Sequence, residues 1–327
     1  MIRAGVDVSP LVQTRAGTAR HVNGLLGALA SRDVEVTPLS FGGTGRAATV
    51  VRDAWWYYRG LPRAVRGLDV LHCTTFRGPL RAPVPFTVTL HDLALVRRPE
   101  LFPRWHRFSG RAGIARVARA ADRVLAVSEF TRREAVELLG VPSERVSVIG
   151  NAVDPVFSAD GPAAEGDYVL AVGTLEPRKN LRRVDAAAER AGVELRVVGA
   201  KGWGGIERDW INTAGWVGEV SDAELAALYR GARCLVFPSL YEGFGIPVLE
   251  AMACGAPVVT SAGGATEEVA GGAAVLVDPL DVDAIAAGIE EAGTRGDELR
   301  ALGLARAGDY SWRAVADAVE SVWRELT

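Results

Sequence analysis

Short apolar runs recur along the chain, separated by longer amphipathic stretches. In the first half, Ile2–Val8, Val34–Leu39, Val70–Cys73, Phe86–Leu90, Arg123–Val127 and Val146–Ile149 read as strands. In the second half, Tyr168–Val172, Leu195–Val198, Thr213–Val217, Cys234–Pro238, Pro257–Thr260 and Ala274–Val277 do the same. Most are rich in valine, and few alternate apolar with polar residues. That is the pattern of strands buried on both faces. Helical periodicity predicts helices at Ala19–Ser31, Arg107–Ala120, Thr131–Leu139, Asp222–Tyr229 and Val282–Ala292. Strand and helix in alternation predict an α/β protein with doubly wound parallel sheets.

The pattern lapses over Asn151–Asp167, where Asp154-Pro155, Gly161-Pro162 and Gly166 crowd together without apolar periodicity. Such a density of turn residues predicts a linker. It divides the chain into two Rossmann-like domains, 1–152 and 153–311, and 327 residues suit two cores better than one. The last helical pattern, Trp312–Leu326, can pack on either half; the division carried here returns it to 1–152. Two such domains facing each other predict a cleft, with ligands beyond the carboxyl ends of the strands.

Composition narrows the function classes. The formal net charge of -3 gives no reason to expect a nucleic-acid partner. The three cysteines, Cys73, Cys234 and Cys254, form no CxxC or Cys/His cluster, so buried free thiols in a reducing compartment are expected. No apolar run approaches the length of a transmembrane helix, and no secretory pattern precedes the first strand. The expectation is a cytoplasmic protein, with the inner face of the membrane left open as a place of work.

Two segments carry candidate chemistry. Phe237–Met252 runs from a strand through a glycine-rich loop into a helix. Gly243 and Gly245 permit close backbone approach to a ligand, and Pro247 suits a first helical turn. The helix start then offers free N–H groups to a phosphate. Glu242 and Glu250 flank the loop, and carboxylates suit sugar and ribose hydroxyls. Glu250 reads equally well as a favourable first-turn charge. Gly173–Asn180 follows the first strand of the second half, and Arg178 and Lys179 bring two cations to a helix start. They suit a pyrophosphate there; a solvated basic pair is the plainer alternative.

Together these segments resemble the large GT-B family of retaining glycosyltransferases numbered four. The resemblance rests on Glu242–Glu250 as an E-x7-E motif, on Gly173–Asn180, Gly199–Trp203, Gly215–Val217, Pro238-Ser239 and Cys254–Val259, in matching order over roughly Asp167–Pro279. In the first half, His91-Asp92, Pro99–Phe102 and Ala126–Thr131 match further family stretches. The loop Arg15–Arg20 matches less well, because the usual double glycine is reduced to Gly17.

The resemblance implies a nucleotide-sugar donor in the second half and a hydroxyl acceptor on the first. It places Arg178, Lys179, Gly17 and Gly173 near the diphosphate, and Glu250 on the ribose. Glu242 and the Phe244-Gly245-Ile246 backbone meet the donor sugar, and Val217 lies near the base. His91 contacts the transferring sugar, and Asp92 is expected to orient it. It further implies transfer with retained anomeric configuration, no cofactor and no metal, and a GDP-mannose donor. The same fold also hosts sugar-nucleotide 2-epimerases, and a non-catalytic sugar-nucleotide-binding subunit is the contrasting class.

Two other patterns compete for attention. Asp281-Val282-Asp283 spells a metal-binding triplet of a different glycosyltransferase fold, but its place before a helix predicts a cap. Trp55-Trp56-Tyr57-Tyr58, among Arg52, Arg59, Arg63 and Arg66, reads as a packed helix face; peripheral membrane contact is the alternative.

Overall fold

The valine-rich runs form two six-stranded sheets in which every recorded pairing is parallel. The structure, a computed structural model, describes residues 1–13, 17–43, 45, 51–102, 104–205 and 215–327. The first sheet comprises β1 (Ile2–Asp7), β2 (Val34–Leu39), β3 (Val70–Cys73), β4 (Phe86–Leu90), β5 (Arg123–Ala126) and β6 (Val146–Val148), in the order β2-β1-β3-β4-β5-β6. The second comprises β7 (Tyr168–Val172), β8 (Glu194–Val198), β9 (Trp216–Gly218), β10 (Cys234–Phe237), β11 (Val258–Ser261) and β12 (Val275–Val277), in the order β12-β11-β10-β7-β8-β9. All five residues of β4 and all four of β3, β10 and β11 are buried, as unalternating apolar runs require.

Strand order fixes where a ligand can sit. The second sheet grows outward from β7 through β8 to β9, then resumes on the other side of β7 with β10. The loops after β7 and β10 therefore diverge at their carboxyl ends and leave a crevice between them. The first sheet reverses in the same way between β1 and β3.

The chain divides into two compact units: Met1–Pro99, Arg104–Ala152 and Ser311–Thr327 in one, Glu100–Pro103 and Val153–Tyr310 in the other. Helix Trp312–Leu326 belongs to the first. Its Val315, Ala316, Val319, Val322 and Trp323 pack with Ile2, Ala4, Val6, Leu25 and Leu29. Ser311 caps its start by accepting the Ala314 N–H. Glu100–Pro103 joins the second unit, where the Trp203 indole N–H donates to the Leu101 carbonyl at 3.1 Å.

Three local features bear on the sequence expectations. Asp281 accepts the N–H groups of Asp283 (2.8 Å) and Ala284 (3.2 Å) at the start of helix Val282–Thr294, and Asp283 is ion-paired with Arg190. Both aspartates are thus engaged as a cap and a surface pair. The aromatic run lies on helix Arg52–Gly60, where the Leu61 N–H reaches back five residues to the Trp56 carbonyl. This wider winding turns the adjacent Trp56 and Tyr57 inward and leaves Trp55 and Tyr58 outside. Among the described residues no helix is long and apolar enough to cross a membrane.

Candidate active site

The loop after β7 is shaped by backbone proximity. The Gly173 N–H donates to Val198 O (2.8 Å), Leu175 N–H to Ala200 O (3.0 Å) and Gly199 N–H to Gly218 O (2.8 Å), so the loops after β7, β8 and β9 are laced together. A Cβ on Gly199 would lie 2.0 Å from the Gly173 carbonyl oxygen, and its φ is +154°. No other residue fits that approach. Asn180 takes φ +60°, a left-handed conformation that its short amide side chain tolerates. Its Nδ2 donates to Pro238 O (3.0 Å) and Pro279 O (2.6 Å), tying this loop to those after β10 and β12.

Four charges converge on the crevice between β7 and β10. Arg178 donates through Nη1 to Glu242 (2.6 Å) and to the Tyr241 carbonyl (3.0 Å). Its Nε and Nη2 donate to the same oxygen of Glu176, at 3.0 and 2.6 Å. Lys179 Nζ donates to the other Glu242 oxygen at 2.7 Å and lies 4.6 Å from the centre of the Phe237 ring. Burial alone would raise the Glu242 carboxyl, but Arg178 and Lys179 outweigh it and pull it down to about 2. Burial pushes Glu176 up, against the pull of Arg178 and Lys179. Burial likewise draws Lys179 down, against the pull of Glu242. The predicted Arg178, Lys179 and Glu242 are thus one cluster. Glu176 is the member that the sequence reading left out, although it stands two residues before Arg178.

The remaining second-unit positions surround this cluster or lie apart from it. Gly245, with φ +105°, precedes helix Ile246–Ala253, and Pro247 occupies its first turn. Phe244 is buried, its ring edge-on against Tyr310. Glu250 is 1% exposed, and its Oε2 accepts the Tyr229 hydroxyl at 3.0 Å. Val217 is the exposed middle residue of edge strand β9. Gly173 lies beneath Lys179: a Cβ there would meet Lys179 Cε at 2.8 Å.

In the first unit, His91 follows β4 at its carboxyl end. Its Nε2 lies 2.8 Å from the Thr74 carbonyl, which can only accept, so Nε2 carries the proton. Burial lowers the His91 pKa, so the ring is neutral near pH 7 and Nδ1 holds a lone pair. A hydroxyl meeting that nitrogen donates to it. The orienting partner is therefore Thr74 and not Asp92, whose Oδ1 accepts the Ala94 N–H at 3.0 Å and shapes the turn after β4. Thr74 is fixed in turn, its hydroxyl donating to Asp7 O at 2.7 Å.

His21 was not foreseen as a neighbour. Its ring lies edge-on to His91 with centroids 4.9 Å apart, and edge-on to Trp312 at 5.7 Å. Its Nδ1 lies 3.3 Å from the side-chain amide oxygen, Oδ1, of Asn151. Gly17 opens helix Gly17–Leu29, which carries His21; Arg15 and Ala16 lie outside the described residues. Among the described residues no group of His, Cys, Asp and Glu has the arrangement of a metal site.

Known families match both halves of the chain. The model of glycosyl transferases group 1 matches residues 157–303, and that of glycosyltransferase family 4 matches 15–157. The O-antigen chain mannosyltransferase B of Escherichia coli is 34% identical over 274 residues, covering 74% of this chain and 71% of that protein. The serotype-specific mannosyltransferase WbdA of the same species is 30% identical over 240 residues, covering 63% of this chain but 29% of its own length. Among solved structures, a sucrose-phosphate synthase from Thermosynechococcus elongatus superposes with a TM-score of 0.80 at 18% identity, covering 100% of this chain and 99% of that one. HepE of Anabaena, solved with UDP and glucose, gives 0.74 at 19% identity with 100% of both chains covered. These likenesses show a GT-B fold.

Proposed function

The chain belongs to the group 1, family 4 glycosyltransferases, and from that premise we propose that it transfers a hexose from a nucleotide-sugar to a hydroxyl acceptor, with GDP-mannose as donor. The observation that carries the reading is the Glu176–Arg178–Glu242–Lys179 cluster at the strand-order reversal of the second sheet. Arg178 and Lys179 stabilise charge as it develops on the departing diphosphate, helped by the N–H groups at the start of helix Ile246–Ala253. Glu242 is ionised near pH 7, and its remaining acceptor capacity suits donor-sugar hydroxyls. Glu250 is assigned to the ribose, Val217 to the base edge, and Gly173 and Gly17 to close phosphate approach. The neutral His91 ring accepts from a hydroxyl of the transferring sugar.

In the proposed step the bond from the anomeric carbon to the diphosphate oxygen breaks. A bond to the acceptor oxygen forms on the same face. The acceptor proton passes to a diphosphate oxygen, and the anomeric configuration is retained. The cation pair supplies the charge that a metal would otherwise supply, and Asp281 and Asp283 are already committed elsewhere. The mannosyltransferase relatives support both transfer over epimerisation and mannose as the sugar.

A thermal-shift series tests the reading, because a ligand bound only by the folded state raises the melting temperature. GDP should raise it more than UDP, dTDP or ADP at equal concentration. A larger shift with UDP would overturn the donor, and no shift with any nucleotide would overturn the site. Transfer from GDP-mannose should survive EDTA.

A further inference from the structure

Helix Arg52–Gly60 and the turn after it present an outer face of unusual chemistry. Trp55 is 43% exposed and Tyr58 46%, and Val51 is exposed beside them. One turn on, Arg59, Arg63 and Arg66 are all exposed. With Tyr58, Pro62 and Pro83 they line an open cavity of about 310 Å³, large enough for a small polar ligand.

These three arginines share one cavity and, among the described residues, lack a carboxylate partner. Several surface arginines elsewhere are ion-paired: Arg3 with Asp69, Arg132 with Glu129, and Arg295 with both Glu291 and Glu298. Among the described residues Arg59, Arg63 and Arg66 have no such partner, and Arg63 donates only to the Arg59 carbonyl, at 2.9 Å. The one acid between Val51 and Gly67 is Asp53, which faces Arg77 at 3.7 Å. Three guanidinium groups converging without counter-charge repel one another until an anion joins them. Planar forks match phosphate oxygens in pairs.

Topology sets this cavity apart from the proposed active site. Arg66 lies four residues before β3 and Pro83 three before β4, so the cavity sits at the amino ends of those strands. His91 and Thr74 follow the same two strands at their carboxyl ends. Four to five residues of strand, about 15 Å, lie between them. The cavity is thus outside the place where donor or acceptor chemistry is read.

We propose that this face docks on an anionic phospholipid surface, with a headgroup phosphate seated among Arg59, Arg63 and Arg66 and with Trp55 and Tyr58 entering the interface. The aromatics decide in favour of lipid over a soluble phosphate or an acidic peptide. A free anion has no use for them, whereas amphipathic rings settle at the boundary between headgroups and hydrocarbon. The net charge of -3 confines the attraction to this patch, so it is short-ranged and sensitive to salt.

Co-sedimentation of the full chain with vesicles tests the proposal and does not depend on the donor assignment. The wild type should bind phosphatidylcholine vesicles containing phosphatidylglycerol, and not pure phosphatidylcholine, at low salt. An arginine near an anionic surface is worth roughly a factor of five. The triple variant R59A/R63A/R66A should therefore lose about a hundredfold in partitioning. Its melting temperature without ligand should match the wild type, which shows that the fold is intact. Trp55→Ser with Tyr58→Ser should weaken binding at both low and high salt. Equal partitioning of wild type and triple variant would overturn the proposal. So would a melting shift with inorganic phosphate that the triple variant abolishes, if the vesicles go unbound.

Discussion

Glu242 accepts from two cations at once, so the variants of this cluster are not equivalent. Lys179→Ala leaves Glu242 paired with Arg178, and the fold should hold while turnover falls by about a hundredfold. Arg178→Ala should lower turnover as far, but it also strips the buried Glu176 of its partner and should destabilise the protein by about 3 kcal/mol. Near-normal rates in both would remove the cations from the reaction. His91 calls for a paired measurement as well. Its ring satisfies the buried Thr74 carbonyl and packs on His21, so His91→Ala should lower stability by about 1–3 kcal/mol, contrary to what a loosely held residue would do. The rate should fall far more than nucleotide affinity; an unchanged rate would take His91 out of the chemistry. The cation pair and Glu242 were legible because each lies in its own contiguous glycine-containing segment, Gly173–Asn180 and Phe237–Met252. Glu176, Thr74 and His21 were not, since their roles rest on side-chain contacts that sequence order does not display.

At the scale of elements, the loops after β7 and β8 depend on one absent side chain. Gly199→Ala forces a methyl against the Gly173 carbonyl and should cost about 2 kcal/mol while shifting the loop that carries Arg178. A lower melting temperature together with a smaller nucleotide-induced shift is the expected pair, and no change in either would mean the loop tolerates displacement. All twelve strands stand where the valine-rich runs are, because burial on both faces leaves little else for such runs to do. Their ends move by a residue or two, as with β1, which stops at Asp7. β9 occupies Trp216–Gly218, and part of its predicted span, 213–214, lies outside the described residues. Helix Gly296–Gly308 escaped notice because its apolar residues do not gather on one face: Leu299 is buried while Leu302 and Leu304 are exposed. Helix Ala265–Ala270 is too short to set a period. The winding of Arg52–Gly60 was hidden for a different reason, since an i to i+5 bond leaves no mark in composition.

For the whole molecule, buried imidazoles set the acid limit. Burial lowers His72 to about 3 and moves His21 and His91 in the same direction. In the unfolded chain each titrates near 6.5. Between those values the unfolded chain binds more protons, so stability is full above pH 6.5 and falls as the solution is acidified. His72 alone accounts for about 1.4 kcal/mol lost by pH 5.5, with the other two adding to it. Glu242 acts later: its contribution is present above about 4.5 and disappears as pH falls toward about 2. Melting temperature should therefore begin to drop below pH 6.5, and His72→Gln should flatten that slope; an unaltered slope would show that His72 does not set it. The placement of helix Trp312–Leu326 reaches into synthesis itself. Unit one needs Trp323 to close over Leu25 and Leu29, yet that residue is added only after roughly 160 residues of unit two have been made. At about 5–20 residues per second, the nascent first sheet waits on the order of ten to thirty seconds with an apolar face uncovered. The second unit lacks no later segment, so the half that emerges last can be the first to finish folding.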